Sequence, residues 1–316
     1  MGSFKIDTIP GRTQLGEGPH WVPESQSLYY VDIFDPALYR YVPSTGKVYK
    51  LALGTVKPSF VIPVEGESNK FVVGYHREIV VLEWDGESAE YTSLKTIASI
   101  EEKFPGTRFN DAKCDPQGRM WVGTFGQTEA GELVDGKGVL FSLELNGTLT
   151  QHLDKINLAN GLAWSKDSTK FYFVDSTAHA VYVFDFDGVN GTLRNQRVHF
   201  DMKKNGFSGL ADGLCTDEED NLWLALFGGA KVLHIDGQTG AVLDSIDFQG
   251  KCSNLTSLAF GGPNLDVLYV TSATFGLKPE EIGAGTEVDA GALFAVSNLR
   301  TKASSPAVNY RGKLTL

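Results

Sequence analysis

The sequence repeats one short pattern six times, and this repeat constrains the fold more than any other feature. Each copy is a four-residue run of the type x-apolar-aromatic-apolar, with Val72 in place of the aromatic residue in the second copy. The third positions of successive runs lie 43, 49, 51, 51 and 46 residues apart. The runs occupy residues 27–30, 70–73, 119–122, 170–173, 221–224 and 267–270.

A second apolar run follows each of these anchors, about ten residues later in four copies and after longer insertions in the third and sixth. These second runs occupy residues 38–41, 79–82, 140–143, 181–184, 232–235 and 293–296. Consecutive antiparallel strands repeated every 40–50 residues or so are typical of a β-propeller. The strands are nearly continuous in apolar residues, as expected when neighbouring blades cover both faces of each sheet. A β-sandwich with accidental regularity is the alternative.

We therefore predict an all-β, six-bladed β-propeller that forms a single domain over residues 1–316, since no linker interrupts the repeat. Residues 4–9 and 310–316 are expected to meet, so that a terminal strand closes the ring.

Composition excludes several classes of partner. A net charge of −11 is unsuited to nucleic acid, whose phosphates require a basic face. No stretch approaches the roughly 18 apolar residues that cross a bilayer, and the N-terminal residues lack the apolar core of a signal peptide. We expect a cytoplasmic protein that acts on a small molecule, with no membrane association and no obligatory protein partner.

Oxygen-bearing side chains recur 11 or 12 residues before the aromatic anchor in four of the six copies. They are Glu17, Asn110, Asn160 and Asp212. The second copy has Phe60 or Val61 at this register, and the sixth has Ser257 or Leu258. Because the first strand of each propeller blade lines the central channel, equivalent positions should meet at one mouth of that channel. Asn160 itself is expected just before the first strand of its blade.

Two carboxylates and two amides, without sulfur or imidazole, favour a hard cation such as Ca²⁺ or Mg²⁺. Arg108 should lie near the same mouth, where a fixed positive charge suits an anionic ligand. His20 is a candidate base, although it is equally consistent with packing beside a tryptophan. Asp111 and Asp175 are candidates for supporting the site or ending a strand.

At these residues the chain resembles the regucalcin (senescence marker protein) and gluconolactonase family. The motifs are LGEGPHW at 15–21, RFNDAKCDP at 108–116, ANGLAW at 159–164 and ADGL at 211–214, and residues 259–273 are similar to the insect branch that includes luciferin-regenerating enzyme. The resemblance implies that Glu17, Asn160 and Asp212 ligate one divalent cation, with Ca²⁺ favoured and Zn²⁺, Mg²⁺ or Mn²⁺ possible. It further implies that Arg108 and Asn110 contact substrate and that Asp212 is the general base.

One stretch departs from the vertebrate lactonases of that family, which carry Gly-Thr-Met-Ala followed by acidic residues. Here residues 123–128 read GTFGQT, so a carboxylate is missing and Phe125 is bulkier than its counterpart. This departure argues against a sugar lactone as substrate and leaves the metal site intact.

The leading functional hypothesis is metal-dependent hydrolysis of a lactone or related ester-like molecule. One alternative is a non-catalytic, calcium-binding regulatory propeller. Another keeps the site but changes the substrate, as in luciferin regeneration or organophosphate hydrolysis. Residues 126–138 and 203–211 are the expected lid loops over the pocket.

Overall fold

The computed structural model describes residues 4–100 and 104–314, and within these ranges it is built from short antiparallel strands without helices. No segment in these ranges forms a helix that could cross a membrane. The strands form six small sheets arranged in a ring, which confirms the prediction of a six-bladed propeller.

Strands are numbered in chain order. Blade 1 contains β2 (Gly16–Val22), β3 (Ser27–Asp32), β4 (Ala37–Val42) and β5 (Lys47–Ala52). Blade 2 contains β6 (Pro58–Pro63), β7 (Lys70–Tyr75), β8 (Glu78–Glu83) and β9 (Ser93–Ser99). Blade 3 contains β10 (Thr107–Cys114), β11 (Met120–Gln127), β12 (Leu133–Val134), β13 (Gly138–Leu143) and β14 (Leu149–Ile156).

Blade 4 contains β15 (Ala159–Trp164), β16 (Lys170–Asp175), β17 (Ala180–Asp187) and β18 (Thr192–Asp201). Blade 5 contains β19 (Leu210–Thr216), β20 (Leu222–Phe227), β21 (Lys231–Ile235) and β22 (Val242–Asp247). Blade 6 contains β23 (Leu255–Gly261), β24 (Val267–Ser272) and β25 (Leu293–Ser297), with β1 (Lys5–Ile9) as its outer strand. The aromatic anchors thus lie on the second strand of each blade. The following apolar runs lie on the third, if the short β12, which pairs only with β11 at the side of blade 3, is not counted.

The ring is closed by the N-terminal strand. β1 pairs antiparallel with β25, from Lys5 opposite Ser297 to Ile9 opposite Leu293. Blade 6 is therefore assembled from both halves of the chain, and this confirms the prediction that a terminal strand closes the ring.

The expectation that the two ends meet is wrong. The backbone of Tyr310 pairs with blade 2, donating its N–H to the Pro63 carbonyl, and Arg311 bonds to Gly118 in blade 3. The physical reason is burial: the Tyr310 ring is fully enclosed in the hydrophobic cluster between blades 2 and 3. Residues 315–316 of the predicted segment lie outside the described residues.

The hydrophobic core is divided among the blade interfaces. The described residues form six buried clusters, each drawn from two neighbouring blades, and the cluster between blades 6 and 1 stacks Trp21 on Tyr269 with centroids 5.6 Å apart. Strands such as β3, buried along their whole length, explain why the sequence does not alternate. Since the core lies between blades, the axis is left to polar residues.

Buried aspartates fix the polar turns that precede the aromatic anchors. Asp115 accepts hydrogen bonds from Arg119 Nε at 2.8 Å and from Trp121 Nε1 at 3.0 Å. In blade 5, Asp217 accepts one from Trp223 Nε1 at 3.1 Å. In blades 3 and 5, these bonds tie the turn to the anchor.

Tyr310 provides a test of the C-terminal packing. We expect Tyr310→Ala to lower the free energy of unfolding by about 3–5 kcal/mol, because it removes a fully buried aromatic ring and leaves a cavity. The matched control is Tyr91→Ala, whose side chain is 42% exposed, and it should cost less than about 1 kcal/mol. Urea unfolding measures both, and equal effects of the two substitutions would contradict this packing.

Candidate active site at one mouth of the propeller

The innermost strands carry the candidate residues at the ends where these strands begin. Glu17, Asn160 and Leu210 stand at or near the starts of β2, β15 and β19, and Asp212 follows two residues after Leu210. Innermost propeller strands run in one direction along the axis, so their first residues share one mouth of the channel. The Asn160–Gly161 backbone also packs so closely on the Asp212 carbonyl that a Cβ at Gly161 would lie 2.6 Å from it.

A β-bulge interrupts each of the six innermost strands at this level. In β10 the bulge contains Asn110 and Asp111, and in β19 it contains Asp212. Glu17 and Asn160 directly precede the bulges of their strands. A bulge rotates the strand locally and re-aims its side chains, which explains why these polar groups leave the sheet plane together. Asn160 thus lies inside β15, and the expectation that it precedes the strand is wrong.

A chain of hydrogen bonds joins three blades beneath the mouth. Asn110 Nδ2 donates to Asn160 Oδ1 at 2.7 Å and to the Ala159 carbonyl at 2.8 Å. Asn160 Nδ2 donates to Ser176 Oγ at 2.9 Å, and Ser176 Oγ donates to the Ala211 carbonyl at 2.6 Å. Both N–H donors of Asn110 are used within the protein, while each amide oxygen retains a lone pair for a ligand.

Three buried carboxylates crowd the centre of the mouth. Glu17 is 8% exposed and Asp212 is 7% exposed, and Asp111 is likewise buried. Burial, followed by the Asp111 charge, raises the pKa of Glu17 to about 8. Burial, Glu17 and Asp111 together raise the pKa of Asp212 well above its usual range. Because the charge of one carboxylate affects the pKa of the next, the three carboxylates form one electrostatic group.

Arg108 stands beside this group. Its guanidinium, 6% exposed, lies 4.4 Å above the Phe125 ring, and Nη1 donates to the Phe109 carbonyl at 3.1 Å. Burial lowers the pKa of Arg108 to about 10, and the neighbouring Glu17 carboxylate opposes that shift. One fixed cation thus stands close to the carboxylates, with donor groups left for a ligand.

Two side chains further along the innermost strands are bonded to other parts of the protein. Lys113 Nζ reaches from blade 3 to the Leu214 carbonyl in blade 5 at 2.5 Å. The His20 ring bonds through Nε2 to Asn309 Oδ1 at 3.0 Å, and burial lowers the pKa of His20 to about 4. Since its ring is held by the C-terminal segment, His20 has a structural partner and is not grouped with the carboxylates.

The donor set fits a divalent cation. Within residues 4–100 and 104–314, no three His, Cys, Asp or Glu side chains are arranged as a metal site. The candidate ligands are instead two carboxylates, Glu17 and Asp212, and the amide oxygen of Asn160. Asp212 Oδ1 is buried without a hydrogen-bond partner among the described residues. A bound cation would satisfy that atom and favour the charged forms of both carboxylates.

Asp175 has the strand-end role that the sequence indicated. Its carboxylate accepts hydrogen bonds from the backbone N–H groups of Asn157 and Leu158, both at 3.1 Å, and so fixes the entry into β15. The expected lid loops, together with residues 273–292, leave the sheet at the same end as Glu17, because each follows a second or fourth strand.

Several residues of the site were missed by reasoning from the sequence. Nothing in the repeat distinguishes Ser176, and the contacts of Lys113 and Asn309 depend on how far side chains reach across the ring. The one available signal for the bulges was the change of register, 11 residues in blades 3 and 5 and 12 in blades 1 and 4.

Comparison with known proteins gives consistent matches over nearly the whole chain. A family model described as the SMP-30/Gluconolactonase/LRE-like region matches residues 15–274. Regucalcin from Danio rerio is 34% identical over 317 residues, covering 99% of this chain and 100% of the relative. A solved luciferin-regenerating enzyme is 37% identical with a TM-score of 0.89, covering 98% of this chain and 100% of that one.

A bacterial structure extends the fold comparison. The calcium-binding protein regucalcin from Agrobacterium tumefaciens has a TM-score of 0.84 and 24% identity, covering 98% of this chain and 99% of that one. At this identity the match shows a shared fold.

Glu17→Gln tests the crowding of carboxylates. A raised folded-state pKa means that the metal-free protein gains stability from a protonated Glu17 below its unfolded pKa, and loses that contribution as pH rises to about 8. We expect Glu17→Gln to stabilise the metal-free protein by roughly 1–3 kcal/mol at pH 8, with little effect at pH 4.5. It should also weaken stabilisation by added calcium.

The measurement is thermal unfolding at both pH values, with chelator and with calcium. Glu24→Gln, an exposed acid remote from the mouth, is the control and should behave as the unaltered protein does. Equal destabilisation by Glu17→Gln at both pH values, with an unchanged calcium response, would contradict this interpretation.

Proposed function

The chain belongs to the SMP-30/gluconolactonase/LRE-like family, and on this premise we propose that it is a divalent-metal-dependent hydrolase of a lactone or a related ester-like small molecule. Family membership confirms the resemblance inferred from the motifs. The observation that carries the proposal is the convergence of Glu17, Asn160 and Asp212 with Arg108 at one mouth of the channel. A lactonase needs oxygen ligands for a cation and a fixed positive charge for an oxyanion at one place.

Glu17, Asn160 and Asp212 would hold the cation, and calcium is the first candidate because all three offer oxygen. A regucalcin of the same fold is named as a calcium-binding protein, which supports this choice. Zinc, magnesium and manganese also accept oxygen ligands. When bound, such a cation would polarise the substrate carbonyl and lower the pKa of a nearby water.

Asp212 is proposed as the proton acceptor. During hydrolysis the water oxygen bonds to the carbonyl carbon, and a water proton passes to the Asp212 carboxylate. The ring C–O bond then breaks, and the same proton returns to the leaving alkoxide. The Asp212 carboxylate has two oxygens, so one would face the cation while the other accepts the proton.

Arg108 and Asn110 are proposed to orient the substrate. The free donors of the Arg108 guanidinium are suited to the oxygen on which negative charge develops. Asn110 holds the Asn160 amide through their 2.7 Å hydrogen bond, and its own Oδ1 is available to a substrate hydroxyl. Asn110 therefore acts both on the ligand set and on the substrate.

The substrate is proposed to differ from a simple sugar lactone. Phe125 stands in the stretch where the vertebrate motif continues into acidic residues, and its ring packs against Arg108. An aromatic wall offers no acceptor for sugar hydroxyls and favours a flatter, less polar molecule. The likeness to luciferin-regenerating enzyme is in keeping with a substrate other than a sugar.

The same donor set would also serve a non-catalytic, calcium-binding regulatory protein. Arg108 favours the enzyme, because a pure calcium site has no use for a guanidinium beside its carboxylates.

We propose a cytoplasmic protein whose partner is a small molecule.

Asp212→Asn is the direct test of the proposed mechanism. The amide retains an oxygen for the cation but cannot accept the water proton, so kcat for dihydrocoumarin hydrolysis should fall about 10²–10⁴-fold. Calcium should still raise the melting temperature of the variant. Asp266→Asn, an exposed acid remote from the mouth, is the matched control and should keep full activity.

Removing the metal with a chelator distinguishes the metal-dependent hydrolase from the non-catalytic calcium-binding protein. A metal-dependent enzyme loses turnover in chelator and regains it with calcium or manganese. Undiminished hydrolysis in Asp212→Asn would refute Asp212 as the base. A protein that is stabilised by calcium but hydrolyses none of a panel of lactones would be the regulatory binder.

A further inference from the structure

A cluster of two phenylalanines and a lysine stands above blade 1, and we refer to Phe34, Lys57 and Phe275 as the rim cluster. Lys57 Nζ lies 4.4 Å from the centre of the Phe34 ring. The Phe34 and Phe275 rings are 4.7 Å apart and tilted by 45°. The three residues come from different parts of the chain, so their contact is a product of the fold.

The rim cluster belongs to the same mouth as the carboxylates. Phe34 lies between β3 and β4, Lys57 between β5 and β6, and Phe275 between β24 and β25. Each of these connections follows a second or fourth strand, and such strands end where the innermost strands begin. A molecule at the carboxylates would therefore extend towards this cluster as it leaves the channel.

Phe275 is presented to solvent on a fixed backbone. Its ring is 52% exposed. Its N–H donates to the Gln14 carbonyl at 2.8 Å, and its own carbonyl accepts from Asn254 Nδ2 at 2.9 Å. An aromatic ring held in water at a channel mouth is a ready contact for an apolar or aromatic group.

Lys57 faces Arg108 across the top of blade 2. The His76 N–H donates to the Lys57 carbonyl, and the His76 carbonyl accepts from Phe109, the residue after Arg108. Consistent with this placement, burial and the Arg108 charge both lower the pKa of Lys57. Two positive groups thus approach one mouth of a chain whose net charge is −11.

No carboxylate of the described residues forms an ion pair with Lys57. Asp35, the residue after Phe34, is paired with Lys50 at 2.5 Å. An ammonium on an aromatic ring, without a described acid and opposite a guanidinium, is suited to an anionic ligand group.

We propose that the rim cluster is a substrate subsite that selects lactones or esters with an aromatic body bearing a carboxylate. Phe34 and Phe275 pack against the aromatic body, and Lys57 pairs with the carboxylate while Arg108 serves the reacting carbonyl. This inference rests on the proposed hydrolase function and adds the substrate class to it.

The experiment compares three lactones at about 50 mM ionic strength, where charge contacts are weakly screened. They are dihydrocoumarin, dihydrocoumarin with a carboxylate on its benzene ring, and glucono-δ-lactone. The variants are Lys57→Met, Phe275→Ala and the control Lys47→Met, an exposed lysine on the strand-turn face opposite the mouth. The quantities measured are kcat/KM for each lactone with calcium bound.

The unaltered protein is expected to prefer the carboxylated lactone. Lys57→Met should reduce the ratio of kcat/KM for carboxylated over uncharged dihydrocoumarin about five- to tenfold, mainly through KM. Phe275→Ala should raise KM for both aromatic lactones relative to gluconolactone. Lys47→Met should leave every ratio in place. An unchanged ratio in Lys57→Met would overturn the subsite and leave the hydrolase proposal standing.

A binding measurement keeps the two proposals separate. If no lactone is hydrolysed, calorimetry measures binding of the intact dihydrocoumarin with a carboxylate on its benzene ring to the calcium-loaded protein. Binding that weakens at least fivefold in Lys57→Met but not in Lys47→Met would support the subsite although hydrolysis had failed. Equal binding by all variants, or none by the unaltered protein, would overturn it.

Discussion

Repulsion among buried carboxylates at the end of the channel governs the arrangement of this protein. Glu17, Asp111 and Asp212 are each almost fully enclosed. Asp111 raises the cost of ionising Glu17, and Glu17 and Asp111 both raise the cost of ionising Asp212. Like charges in a low-dielectric site are stable only when cations accompany them. Arg108 and Lys113 provide fixed positive charge, and the two asparagines add neutral oxygen. The proposed divalent cation would add the positive charge that these carboxylates need to ionise together.

The ring can support such a site because its stability comes from elsewhere. Six hydrophobic clusters between blades, one containing the C-terminal Tyr310, contribute the buried apolar area. The bulges near the starts of the innermost strands interrupt pairing only briefly, and the residues that flank them, Phe109 and Ala112 in β10 and Ala211 and Leu214 in β19, remain in the buried clusters. The free-energy cost of burying polar groups at the axis is therefore local, while the packing that stabilises the fold is distributed around the ring.

The repeat was sufficient to predict six blades, the second and third strands of each, and closure by a terminal strand. Counting back from the anchors also placed Glu17, Asn110, Asn160 and Asp212 at one mouth, since equivalent positions of a repeat must coincide in the ring. Their chemical roles stay predictions. The path of residues 302–311 could not be predicted, because no periodicity marks a segment that crosses blades. The rim cluster could not be predicted either, because contacts among three loops depend on how the loops fold and on how far their side chains extend.

The central claim is that groups from three blades bind one cation at the mouth bearing Glu17. Anomalous X-ray diffraction from crystals soaked in manganese tests it most directly, because Mn²⁺ accepts the same oxygen ligands as calcium and scatters anomalously. We expect one strong peak about 2.0–2.6 Å from oxygens of Glu17, Asn160 and Asp212. A crystal saturated with manganese that shows no peak there, or one only at the opposite mouth near Asn309, would contradict the claim.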